Sequence, residues 1–96
     1  MLFMVIEHFN NPDAASAVYV RFREQGRMLP KELKYINSWT EAHFGRCFQL
    51  MECDDPRVLA EWTAHWDDLV DFEIVPVISS AEAAAAMASK GDEHGG

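Results

Sequence analysis

Hydrophobic positions along the chain change period several times, and each change marks an element. Residues 2–9 are apolar at both phases of a two-residue repeat, so a strand there points Leu2, Met4 and Ile6 to one side and Phe3, Val5 and Glu7 to the other. Asn11-Pro12-Asp13 supplies a cap, a proline at the first helical position and an early acid. Ala14, Ala15, Val18 and Phe22 then recur at helical spacing to about Gln25, where Gly26 ends the pattern. After a loop containing Pro30, residues 33–53 return to a period of two, broken at Phe44-Gly45, which predicts an antiparallel hairpin with Gly45 in the positive-φ position. A two-residue turn sets His43 opposite Arg46. One face then carries Asn37, Trp39 and Glu41 against Phe48, Leu50 and Glu52, and the other carries Ser38, Thr40 and Ala42 against Cys47, Gln49 and Met51.

Asp54-Asp55-Pro56 repeats the helix-start chemistry, and Val58, Leu59, Trp62, Trp66, Leu69 and Val70 fall on one arc of the wheel. Residues 72–78 predict a last strand, with Pro76 confining it to an edge or a bulge. Ser79 and Glu82 form a capping box for an Ala-rich helix over residues 81–89, followed by an expected disordered tail over 90–96. The order βαββαβ predicts an α+β, ferredoxin-like sandwich over residues 1–80, with an antiparallel sheet in the order 4-1-3-2 and both helices on one face. The opposite face is expected to show Phe3, Val5, Trp39, Phe48, Leu50, Val75 and Val77. Burying such side chains stabilises by about 1.5 to 3 kcal/mol each, so a second copy is expected to cover them and close a dimeric α/β barrel.

The chain has 96 residues and is 49% hydrophobic, which suffices for one packed domain. A net charge of -8 argues against nucleic acid or an anionic membrane as partner, although Arg21, Arg23, Arg27, Lys31 and Lys34 cluster in a short span. The apolar start lacks a basic leader and a cleavage pattern, and no run reaches the roughly 18 apolar residues of a membrane helix, so a cytoplasmic protein is expected. Cys47 and Cys53 are too far apart along one strand to bridge and are expected as free thiols.

Glu52 and Glu41 are the candidate proton acceptors, because they share the expected cleft between two sheets with Trp39, Asn37, Phe48, Leu50 and Phe3, the candidate ligand wall; Glu7 joins them as a candidate ligand contact. Glu52, beside Asp54 and Asp55, is expected to titrate high, whereas Glu41, close to Arg46, is expected to stay ionised. Trp62 and Trp66 read as packing on the second helix, and Gln49 as facing the helices. The four histidines lack metal-ligand spacing, so neither a metal nor a cofactor is expected.

The run RCFQLMECDDP at residues 46–56, leading into a Trp-bearing helix and then FEIVPV at residues 72–77, resembles an uncharacterised family of small bacterial proteins classed as a domain of unknown function. The resemblance implies the dimeric α/β-barrel fold of the antibiotic-biosynthesis-monooxygenase superfamily, whose members range from cofactor-independent oxygenases to plain ligand binders. The expectation is a homodimer with a mostly apolar cleft that binds, or slowly transforms without a cofactor, a small organic molecule, any chemistry falling to the glutamates. The alternative is a non-catalytic interaction module whose barrel is filled by its own side chains.

Overall fold

The computed structural model describes residues 1–95, with side chains to Lys90. In chain order it contains strand β1 (Leu2–Phe9), helix α1 (Ala14–Gln25), strands β2 (Lys34–Thr40) and β3 (Arg46–Glu52), helix α2 (Arg57–Thr63), strand β4 (Val70–Val77) and helix α3 (Ser80–Gly95). The four strands form one antiparallel sheet in the order β2-β3-β1-β4, which is the expected order read from the other edge. The architecture is ferredoxin-like α+β.

The two central strands fix which residues face which way. Phe3 pairs with Met51, Val5 with Gln49 and Glu7 with Cys47, so these six share the side covered by α1 and α2. Phe3 and Val5 were expected on the open face and lie instead in the core, Val5 fully buried. Both phases of β1 are apolar, so its own pattern does not choose a side; the register against β3 does, and a one-residue slip reverses every side chain. The open face carries Leu2, Met4 and Ile6 from β1 with Phe48, Leu50, Val75, Val77 and Trp39 from their partner strands.

The hairpin turn is longer than two residues. Glu41, not His43, opposes Arg46, through a backbone bond from Glu41 N to Arg46 O at 2.9 Å. The left-handed residue is Phe44, at φ 61°, rather than Gly45. The slip is by two residues, so Trp39 now pairs with Phe48 and Asn37 with Leu50 while both stay on the expected face. A bulge between Tyr35 and Asn37 shifts the remaining pairs and places Tyr35 opposite Met51.

Phe3, Val5, Met51, Leu33 and Cys53 pack against Val58, Leu59, Trp62 and Trp66 to form the core, with Val18 and Phe72 beside them. The α2 stripe is buried as its spacing predicts, but the regular helix stops at Thr63 and single turns carry the chain through Trp66 to β4. Helix α1 ends at Gly26, whose N–H donates to Phe22 O at 2.7 Å. At φ 69° and ψ -162°, Gly26 occupies backbone space that side-chain-bearing residues avoid. Helix α3 starts with the expected reciprocal Ser79–Glu82 bonds and runs past residue 89, exposed to Lys90 except at half-buried Ala83. The last residue of the expected tail, 96, lies outside the described residues.

Candidate functional site

Between the helix-covered face of the sheet and the two helices lies a cavity of about 130 Å3. Its floor comes from β1, β2 and β3, which bring Glu7, Ser38, Thr40, Cys47 and Gln49 together; its apolar walls are Phe9, Val18, Phe22, Trp62 and Trp66. Strand alternation produces this floor directly: Glu7 pairs with Cys47, Cys47 with Thr40, and Gln49 with Ser38, so all five residues point the same way.

Glu7 is the chemical centre of the cavity. It is 6% exposed, and Gln49 Nε2, from the diagonal position on β3, donates to its Oε1. Burial pushes its carboxyl pKa up from 4.5 to about 7, against opposing effects of the Gln49 hydrogen bond and the Arg27 charge. No cation pairs with Glu7 among the described residues. Gln49 is equally buried, and its Oε1 accepts from no protein donor among the described residues, which leaves a buried acceptor available beside the cavity.

Arg27 borders the same space from the loop after α1. Its carbonyl accepts from Trp62 Nε1 at 2.9 Å and from Trp66 Nε1 at 3.2 Å, so two core indoles pin the main chain from which the guanidinium extends. The guanidinium lies over the Tyr35 ring at 3.7 Å and near the Phe22 ring at 5.0 Å. Cys47 is half-buried; burial pushes its thiol pKa up, and Thr40 Oγ1 donates to its sulfur at 3.6 Å. Both cysteines are free.

Of the residues expected to form the site, only Glu7 lines this cavity. Phe3 packs in the core under the helices. Trp39, Asn37, Phe48 and Leu50 stand together on the open face, where Trp39 is 53% exposed. Glu52 ends β3 on that face, level with Leu2 and Lys34, and borders a shallow depression with Met1, Val77 and Glu82. Glu41 lies in the hairpin turn, where Arg46 binds it through Nε at 2.9 Å and through a second nitrogen at 3.2 Å; that pair holds its carboxyl below the usual range. Glu7, Glu41 and Glu52 thus occupy three separate environments. Sequence reasoning assigned no role in the site to Gln49, Arg27, Cys47 or Thr40. One signal was present: Glu7 and Gln49 are polar residues in the middle of apolar phases of neighbouring central strands. No group of three or more His, Cys, Asp or Glu side chains stands together among the described residues.

Fold and site together define a ferredoxin-like α+β domain with a buried, uncompensated carboxyl in an aromatic cavity. The chain belongs to the family described as "Domain of unknown function (DUF3303)", which it matches over residues 1–91. It is also similar in fold to the solved "Structure of Rv0793 from Mycobacterium tuberculosis", with a TM-score of 0.51 and 14% sequence identity over 83% of this chain and 97% of that one. No curated protein matches the chain. Among the described residues, no helix is long and apolar enough to cross a membrane.

Proposed function

We propose that this chain is a small-molecule-binding domain whose cavity takes an organic ligand and exchanges a proton with it through Glu7. One observation carries the reading: a buried carboxyl held by a neutral amide, rather than by a cation, on the floor of an aromatic cavity. Had Glu7 been paired like Glu41, it would be a permanent anion. Because burial dominates, its pKa of about 7 leaves both protonation states populated near neutral pH, which suits a group that takes a proton from one ligand atom and returns it to another. Gln49 steadies the carboxyl, while Trp62, Trp66 and Phe22 provide flat apolar walls against which a ring can lie.

The functional unit we propose is a homodimer in a reducing cytoplasm. Trp39, Phe48, Leu50, Met4, Val75 and Val77 form a continuous apolar surface on the sheet face away from the helices, and a second copy would remove it from water. The cavity lies on the other face and stays free in such a dimer. The free thiols support the reducing compartment.

The three tryptophans provide the test, because Trp62 and Trp66 line the cavity and Trp39 does not. Single-ring aromatic fragments added to 15N-labelled protein are expected to shift the indole signals of Trp62 and Trp66 in a saturable way. Shifts confined to Trp39, or none at millimolar fragment, would place ligand binding elsewhere and remove the reading.

A further inference from the structure

The cavity has two unmet demands besides the carboxyl. Gln49 Oε1 is a buried acceptor with no protein donor among the described residues, so it can take an O–H or N–H from whatever enters the cavity. Arg27 is the second. Arg21 pairs with Asp68 at 2.7 Å, Arg46 with Glu41 at 2.9 Å and Arg57 with Asp55 at 2.8 Å, whereas Arg27 forms no ion pair among the described residues. Its guanidinium carbon sits against two aromatic rings, and no Arg27 side-chain N–H donates a hydrogen bond among the described residues, so its planar fork has donors to offer a carboxylate. In a chain of net charge -8, a small anion is attracted only where a local cation outweighs the general field, and Arg27 is such a cation at the rim of this cavity. Size supplies a third constraint. A cavity of about 150 Å3 accommodates one benzene ring, so about 130 Å3 with an open side admits a single six-membered ring whose substituent reaches the rim.

We infer that the ligand is a planar, single-ring acid whose anionic group is received by the Arg27 guanidinium while an O–H or N–H across the ring donates to Gln49 Oε1. The inference rests on the cavity being a ligand site and adds the chemical class of what enters it. The groups bordering that ligand are Glu7 from β1, Cys47 and Gln49 from β3, Ser38 and Thr40 from β2, Tyr19 from α1 and Arg27 itself. None of them is a second cation, so the anionic end has one place to go.

The probes are 3- and 4-hydroxybenzoate, benzoate, which lacks the donor, and phenol, which lacks the anion, each titrated into the full chain with the Trp62 and Trp66 indoles as reporters. The better hydroxybenzoate isomer is expected to bind at least about tenfold tighter than phenol, which lacks the charge-assisted hydrogen bond to Arg27, and about threefold or more tighter than benzoate, which lacks the neutral one to Gln49. Arg27→Met is expected to abolish that preference over phenol, and Arg27→Lys to keep most of it. The indoles bond to the Arg27 carbonyl rather than its side chain, so both variants retain that anchor, and their thermal transitions are checked against the native chain. Phenol binding as tightly as hydroxybenzoate, or an Arg27→Met chain that keeps the preference, overturns the anion assignment while leaving the cavity as a ligand site. If none of the four probes moves either indole, both the assignment and the ligand site fall.

Discussion

Replacing Glu7 with Gln isolates the energetic consequence of burying that carboxyl. The folded chain holds the Glu7 proton up to about pH 7, whereas the unfolded chain releases it near 4.5. Between those two values the native state binds one proton more than the unfolded state, so stability falls as pH rises, by about 1.4 kcal/mol per pH unit. Below 4.5 both states are protonated and the penalty vanishes; above 7 both are ionised and it is complete, at about 3 kcal/mol. Glu7→Gln keeps an oxygen to accept from Gln49 Nε2 and cannot ionise. Urea denaturation from pH 4 to 8.5, followed by tryptophan fluorescence at fixed protein concentration, should show the variant gaining about 3 kcal/mol on the native chain across the window, with no gain at the acid end. Glu41, Asp55 and Asp68 have the opposite tendency: arginine partners hold their pKa values down, so their contribution is present above the ordinary carboxylate range and lost as pH falls through it. Their effect cancels in the difference between the two proteins. A difference independent of pH would refute the reasoning, because Glu7 would then have the same proton affinity folded and unfolded.

Trp62→Ala removes the largest fully buried side chain and one of the two bonds to the Arg27 carbonyl, and should cost about 3–5 kcal/mol in urea denaturation; a loss below about 1 kcal/mol would contradict the packing described. Gly26→Ala meets nothing within 4 Å, so its expected loss of about 1–3 kcal/mol in thermal unfolding comes from backbone strain alone. Gly26→Asn should give no relief, because ψ -162° lies outside the left-handed helical region that Asn tolerates, and recovery with Asn would show the strain argument wrong. Leu50→Arg puts a charge at the centre of the open face; light scattering should give a particle of twice 10.9 kDa for the native chain and a single chain for the variant, and equal masses would remove the proposed interface.

Element types were legible because capping and periodicity agree: Pro12 and Pro56 near helix starts, Gly26 at a stop, and the Trp62/Trp66 arc against the sheet. Sheet order followed from the βαββαβ plan. The face of β1 was not legible, because Leu2, Met4 and Ile6 are as apolar as Phe3 and Val5, and only long-range pairing decides between them. That ambiguity put Glu7 on the open face, beside the Glu41 and Glu52 that the hairpin pattern had already singled out, and so separated it from Gln49. The turn also hid its length. Phe44 accepts a left-handed backbone while Glu41 and Arg46 close the loop as an ion pair, which local turn statistics do not anticipate. Gln49 was correctly expected to face the helices, yet its tie to Glu7 depends on a diagonal contact between two strands far apart in sequence.

The most direct test of the account is the titration of the Glu7 carboxyl itself, followed by 13C NMR of selectively labelled protein and assigned with Glu7→Gln. A midpoint near 7 is expected in the free protein, well separated from a Glu41 signal that titrates below the usual glutamate range. A Glu7 midpoint at or below 4.5 would mean that the carboxyl is solvated or paired with a cation, and the proton-exchanging cavity would have to be abandoned.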